Sequence, residues 1–355
     1  MFQHKMNSKQ NTVLVTGANG YLASWIVKKL LIEGHNVHAT VRDIHNKEKI
    51  NHLLEYGKKY KGNIKFFSAD LIEKNSFDEA MRNCSIIFHT ASPFKLEIKD
   101  SIKELINPAL DGTKNVFSSA DKVDSIKKIV LTSSVAAMYT DASECKNLIN
   151  NEITELVWNK TASVNYQPYS YSKTLAEKEA WRLYKKQRKW ELVVINPSLV
   201  LGPFPNATQN TSESINLLKQ IGDGTFKIGV PKMPIGVVDV RDVADAHYEA
   251  AFNKNASGRY ITSAYNTSFL EISKLLNSEF GDSFPIPKRP LPKWLVFLIG
   301  PLLNKALTRK YIRNNFNKDF RANNNKIQKE LGINFRPLKQ TLIESFQSLI
   351  DQKII

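Results

Sequence analysis

Residues 12–25, TVLVTGANGYLASW, limit what the rest of this 355-residue chain can build. Val13, Leu14 and Val15 form an aliphatic run too short for a stable helix, and Thr16-Gly17-Ala18-Asn19-Gly20 interrupts it. From Tyr21 the apolar residues Leu22, Trp25, Ile26, Leu30 and Leu31 recur at helical spacing up to Gly34, a C-cap residue. A buried strand, a glycine turn and a helix in that order make an anion site. Backbone N–H groups at the helix start lack partners, the helix dipole favours negative charge there, and glycine lets a pyrophosphate touch the backbone. The spacing is Gly17-x-x-Gly20-x-x-Ala23, in which Ala23 still permits close helix–strand packing. The competing reading is a plain glycine turn of an α/β protein; its place at the first strand favours the anion site.

The alternation continues. Strands are expected at 36–41, 64–67, 86–89, 126–132 and 192–196. Helices are expected at 47–60, briefly around 77–81, at 101–120 and at 168–189. Strand and helix in turn, joined by short polar or glycine turns, imply an α/β fold with a Rossmann-type doubly wound parallel sheet. At Gly202-Pro203-Phe204-Pro205 the composition breaks. Helices follow at 212–221, 243–252 and 270–280, strands at 236–240 and 259–262, and a closing segment at 337–351. Residues 1–11 read as a disordered leader and 12–200 as a dinucleotide domain to which some later segments return. Residues 201–355 read mainly as a smaller C-terminal substrate-binding lobe.

Cys84 and Cys145 give neither a disulfide framework nor a metal spacing, and MFQHKMNSKQN has no apolar centre, so a reducing, cytoplasmic setting is expected. The net charge of +16 is concentrated late. Between residues 284 and 340 thirteen lysines and arginines face only Asp319 and Glu330. Without zinc-finger or RRM spacing this charge does not point to nucleic acid; a solvated surface, an anionic substrate or an anionic membrane face remain. The most apolar window, WLVFLIGPLLN at 294–304, is far below the ~20 residues that cross a bilayer. A pocket wall for an apolar substrate is the favoured reading, because a small lobe needs buried surface; a peripheral membrane contact is the other.

Tyr169-Ser-Tyr-Ser-Lys173 carries the chemistry. On a helix Tyr169 and Lys173 share a face, while Tyr171 points away. A phenol with a pKa of about 10 needs roughly 4 kcal/mol to come down by about three units. One ammonium about 4 Å away supplies about that much at an effective dielectric near 20. The other reading is two surface residues on a basic helix. Ser133-Ser134 at the end of an upstream strand favours catalysis, since ligands of open parallel sheets collect at such ends.

These features resemble the extended short-chain dehydrogenase/reductase superfamily and, within it, the dihydroflavonol-4-reductase-like branch. The likeness runs through VTGANGYLASW, HATVRD, SADL, FHTASP, INPALDGTKNV, KKIVLTSS, YSYSKTLAEKEAW, NPSLVLGPF and VVDVRDVADAH, in order. It implies an NADPH-dependent reductase of a small-molecule aldehyde or ketone, a monomer or homodimer. Ser134 would orient the carbonyl, with Ser133 the weaker serine candidate. Tyr169 would protonate the oxygen, and Lys173 would hold the nicotinamide ribose. Gly17, Asn19, Gly20, Tyr21 and Leu22 would form the pyrophosphate loop. Asp70 and Leu71 would meet the adenine, although Asp70 also suits a helix N-cap. Thr90, Ala91 and Ser92 would line the cofactor, and Pro197, Ser198, Leu199 and Val200 would lie beside the nicotinamide.

NAD enzymes of the superfamily place a carboxylate at the tip of the second strand; here Val41 stands there, followed by Arg42, which suits the 2′-phosphate of NADP(H). Lys49 matches a second phosphate-contacting base, and Asp43 is the dissenting residue. Tyr139 replaces an amide that grips the substrate in flavonoid reductases, and the cinnamoyl-CoA reductase signature NWYCYGK is absent. Neither plant substrate carries over. The rival readings are a nucleotide-sugar epimerase or dehydratase, a sterol or steroid dehydrogenase, and a non-catalytic NADPH-binding protein.

Overall fold

A computed structural model describes residues 10–93, 99–206, 213–304 and 306–355. Of the expected leader, residues 1–9 lie outside the described residues, and Gln10 and Asn11 bond to Asn36.

The strands in chain order are β1 (Thr12–Val15), β2 (Asn36–Val41), β3 (Asn63–Ser68), β4 (Ile86–His89), β5 (Lys128–Thr132), β6 (Glu191–Pro197), β7 (Leu199–Leu201), β8 (Val230–Pro231), β9 (Pro234–Asp239), β10 (Gly258–Thr262), β11 (Tyr265–Ser268) and β12 (Pro290–Leu291). Seven of them form one parallel sheet in the order β10-β6-β5-β4-β1-β2-β3. Val13, Leu14 and Val15 are fully buried, as a strand covered on both faces requires. The order reverses between β1 and β4, so a crevice opens beyond their carboxyl ends, where open α/β sheets take ligands.

The helices are α1 (Tyr21–Ile32), α2 (Lys47–Lys59), α3 (Asn107–Asp121), α4 (Pro168–Tyr184), α5 (Glu213–Gly222), α6 (Val240–Phe252), α7 (Phe269–Phe280), α8 (Lys293–Leu303), α9 (Arg309–Asn315), α10 (Asn325–Leu331) and α11 (Leu338–Asp351). The apolar faces of α1, α2, α6 and α10 form one core on the sheet; α3 and α4 cover the opposite face. A third core joins α5, α7 and α11 to β7 and β9. Among the described residues no helix is long and apolar enough to cross a membrane.

Several elements differ from expectation for local reasons. Residues 77–81 form turns rather than a helix: Asn75 and Asn83 adopt left-handed φ of 65° and 62° on either side, while Phe77 and Met81 are buried. The expected helix 101–120 opens as a π-helical turn, Ile102–Ile106, because Pro108 has no N–H for the Glu104 carbonyl. α4 stops at Tyr184 because the Gln187 side chain closes a turn into β6, donating to the carbonyls of Tyr184 and Trp190. Residues 294–303 are helical and turn an apolar face outward; the buried face, with Val296, packs on Ile312 and Phe316 of α9 and its end.

Candidate active site

The turn between β1 and α1 is fastened to β2 and to the end of β4. The Ala18 N–H donates to the Thr40 carbonyl (2.9 Å), and the Gly20 N–H to that of Gly17 (2.9 Å). The Thr16 hydroxyl accepts from the N–H groups of Thr90 and Ala91, both at 3.1 Å. Gly17 has φ +62°, and a Cβ there would stand 3.1 Å from the Ala91 Cβ, so backbone conformation and close approach both demand glycine. No side chain caps α1, and its first turn holds no acid. Its leading N–H groups therefore point into the crevice without competition for an anion. The side chains of Tyr21 and Leu22 look elsewhere. The Tyr21 hydroxyl donates to the Gly202 carbonyl at 2.9 Å and its ring packs on Phe204, while Leu22 joins the core beside the sheet. Only their backbones remain for a ligand.

At the tips of β2 and β3, Arg42 is 76% exposed and its Nε lies 3.9 Å from an Asp70 carboxylate oxygen. Such a long surface pair is worth about 0–1 kcal/mol and leaves the guanidinium available to a stronger anion. Asp43 accepts from the His45 N–H at 2.8 Å and so closes its own turn. Lys49 stands exposed on the first turn of α2. Asp70 accepts from the Ile72 N–H at 3.0 Å, capping a turn and not a helix. Leu71 packs on Gly112 of α3.

α4 begins at Pro168, whose missing N–H costs nothing in a first turn, with Gln167 in a left-handed conformation before it. It packs on the one-turn helix Val135–Ala137, which Ser134 caps by accepting from the Ala136 N–H at 3.1 Å. Tyr169 is 41% exposed. The Lys173 ammonium, 5.9 Å from the Tyr169 ring centroid, donates to the Ser92 hydroxyl at 3.0 Å. This places it against the end of β4, beside a small cavity lined by Leu71, Ala91, Ser92 and Glu177. Burial pulls its pKa down to about 8, with the Glu177 carboxylate pulling back upward. His89, behind it, is held down to about 3 by burial and then by the Lys173 charge; its Nδ1 meets the Thr16 hydroxyl at 3.0 Å.

The two serines part company. The Ser133 hydroxyl donates to Glu177 at 2.5 Å inside the protein, whereas the Ser134 hydroxyl, besides its cap to Ala136, donates to the Pro197 carbonyl at 3.5 Å. Glu177, unremarked in the sequence, is the hub beneath the site. It forms an ion pair with Arg259, whose Nε lies 2.7 Å away, and accepts from Arg259 Nη2 at 3.4 Å, Asn196 Nδ2 at 2.8 Å and Trp181 Nε1 at 3.3 Å. Asn196 also donates to the Ser134 carbonyl at 3.1 Å, which ties the tips of β5 and β6 to α4. One signal could have found Glu177: it follows Lys173 by four residues on the face that Tyr169 begins.

At the end of β6, Pro197 is buried, and the Ser198 hydroxyl is buried with no hydrogen-bond partner among the described residues. Leu199 and Val200 pack into the neighbouring cores. A glycine turn that a Cβ would fill, an uncapped helix start, an exposed guanidinium and an orphaned hydroxyl at one sheet edge fit a phosphorylated dinucleotide.

The chain is similar to known proteins along most of its length. The family model described as the NAD dependent epimerase/dehydratase family matches residues 13–266. A cinnamoyl-CoA reductase from Medicago truncatula is 36% identical over 344 residues, covering 97% of each chain. The Gre2 structure from Candida albicans in complex with NADPH superposes with a TM-score of 0.78 at 28% identity, covering 96% of this chain and 99% of that one. The yeast methylglyoxal/isovaleraldehyde reductase Gre2, complexed with NADPH, gives a TM-score of 0.74 at 29% identity over 97% and 100%.

Proposed function

The chain belongs to the NAD dependent epimerase/dehydratase family, the extended short-chain dehydrogenases/reductases, and we propose that it is an NADPH-dependent reductase of small aldehydes and ketones. The observation that carries this reading is Lys173: its ammonium sits one helical turn from Tyr169 and is held at the crevice by Ser92. The names of the relatives, reductases that include two NADPH complexes, support it.

The uncapped start of α1 would hold the pyrophosphate, Arg42 and Lys49 the 2′-phosphate, and Lys173 the nicotinamide ribose. When bound, the reduced nicotinamide supplies a hydride to the carbonyl carbon. The Tyr169 phenol passes its proton to the carbonyl oxygen, and the Ser134 hydroxyl orients that oxygen by donating to it. The Lys173 ammonium favours the phenolate left behind.

NADPH oxidation, with NADH in parallel, over a panel of aryl and alkyl aldehydes, ketones and ketoesters tests the reading. Turnover of several carbonyls with NADPH is expected; none with either cofactor contradicts it. Arg42→Ala should raise the KM for NADPH about 10–100-fold, the loss of a charge-assisted phosphate bond, and scarcely move that for NADH. Equal changes would remove the phosphate contact.

The pH profile follows from Lys173. Its ammonium is present below about 8 and lost above it, so kcat/KM for reduction should be flat near neutrality and fall about tenfold per pH unit beyond. Lys173→Arg, which does not titrate in this range, should move the falling limb upward. A profile that stays flat well above the Lys173 value of about 8 contradicts the role assigned to the ammonium.

A further inference from the structure

Among the described residues eleven large hydrophobic side chains are exposed, and four of them lie on α8: Trp294 at 65%, Leu298 at 56%, Ile299 at 39% and Leu302 at 85%. Trp294, Leu298 and Leu302 are spaced four apart, so they form one stripe, with Ile299 at its side. The opposite face is satisfied: Val296 is buried, and a Cβ at Gly300 would touch Ile312 and Leu307. A helix apolar all round yet lying at the surface has a second face still to cover.

The surroundings are strongly cationic. From Ser283 to Lys318 the chain carries eight lysines and arginines and no acid. Lys288, Arg289, Arg309, Lys310, Arg313 and Lys318 are exposed, and none pairs with a described carboxylate. Arg309, Arg313 and Lys318 stand near α8, and Lys310 lies over the Tyr166 ring at 3.8 Å. The Arg309 guanidinium stands 5.7 Å from the Phe297 ring centre. Lys293, at the head of α8, donates to the Phe316 carbonyl at 2.9 Å. Its pKa is lowered by burial and then by the nearby charges of Lys318 and Arg313.

We propose that this face, the stripe of α8 with the bases of the adjoining segments beside it, docks on an anionic membrane surface with the helix lying in the interfacial plane. The stripe would enter the headgroup–acyl boundary while the bases meet acidic lipid headgroups. The eleven residues of α8 span only about 17 Å, so the helix lies along the surface and does not traverse it. A second copy of the chain fits poorly, since a two-fold contact sets each cation against its own kind. A nucleic acid gives an aliphatic stripe at the centre of the patch nothing to do.

The test uses the full-length protein sedimented with vesicles of phosphatidylcholine alone and of phosphatidylcholine with about one-third phosphatidylserine. Binding is expected only to the anionic vesicles, weakening at high salt. Tryptophan emission should shift to the blue on binding; Trp294→Phe should lose the shift and keep the binding. Trp294→Ser with Leu298→Ser should lower the partition coefficient about tenfold or more with the unfolding midpoint unchanged. Absence of binding to the anionic vesicles overturns the proposal. Binding indifferent to the Ser pair does so too, because it would be adsorption by charge alone. A doubled solution mass that the Ser pair reverses would assign the face to a second copy, and retention by duplex DNA but not by vesicles would assign it to nucleic acid; either overturns the proposal.

Discussion

Tyr169→Phe is expected to lower carbonyl reduction by about 10²–10⁴-fold, the range of a lost general acid, while NADPH affinity changes by less than about twofold. The ring stays, so the contact with the Lys173 side chain, whose ammonium lies 5.9 Å from the ring centre, is preserved. Only the hydroxyl leaves. Tyr169 is 41% exposed, so loss of the hydroxyl should leave the unfolding midpoint close to that of the wild type. Steady-state rates beside a direct NADPH titration by fluorescence separate the two effects. Wild-type turnover in the variant would remove the phenol from the mechanism, and lost NADPH binding would make its role positional.

Arg259→Met should be the most damaging change away from the reacting groups. Arg259 is 6% exposed, joins the fully buried Glu177 side chain, and donates to the carbonyls of Glu155 at 3.0 Å and Val157 at 2.7 Å. Its guanidinium also lies 4.0 Å from the centre of the Trp158 ring. Removing it leaves the buried Glu177 without its ion-pair partner, with only the Lys173 charge nearby, a loss of about 3–5 kcal/mol. Urea unfolding measures this directly. Glu177→Gln in the same chain should recover part of the loss, a coupling expected of contacting residues and absent between independent ones. A single variant within about 1 kcal/mol of wild type would show that Ser133, Asn196 and Trp181 suffice to hold Glu177 without Arg259.

Much of the fold was legible because its signals are local. The run Val13–Val15, the glycine turn and the periodicity to Leu31 are contiguous, and β1 and α1 follow from them. The shared face of Tyr169 and Lys173 likewise needs only helical geometry. Legibility fails where a residue's partner is remote. Arg259 and Glu177 are 82 residues apart, and nothing near either announces the other. The orientation of α8 depends on α9 packing against its Val296 side, which the apolar composition of 294–304 leaves open. The turns at 77–81 carry buried Phe77, Ala80 and Met81 at nearly helical spacing; two left-handed asparagines decide against a helix. Asp43 could have faced a ribose, and its bond to the His45 N–H is a matter of one side-chain torsion.

A crystal structure of the NADPH complex bears most directly on the central claim, that the Tyr169–Lys173 face of α4 meets the cofactor held at the glycine turn. The expected map places the diphosphate on the first N–H groups of α1, the 2′-phosphate against Arg42, and the nicotinamide ribose within hydrogen-bonding distance of the Lys173 ammonium. The Tyr169 hydroxyl should then stand about 3–3.5 Å from a carbonyl oxygen seated over nicotinamide C4. A nicotinamide ring turned away from α4, beyond the reach of both side chains, would contradict the assignment and leave a nucleotide-binding protein without this chemistry.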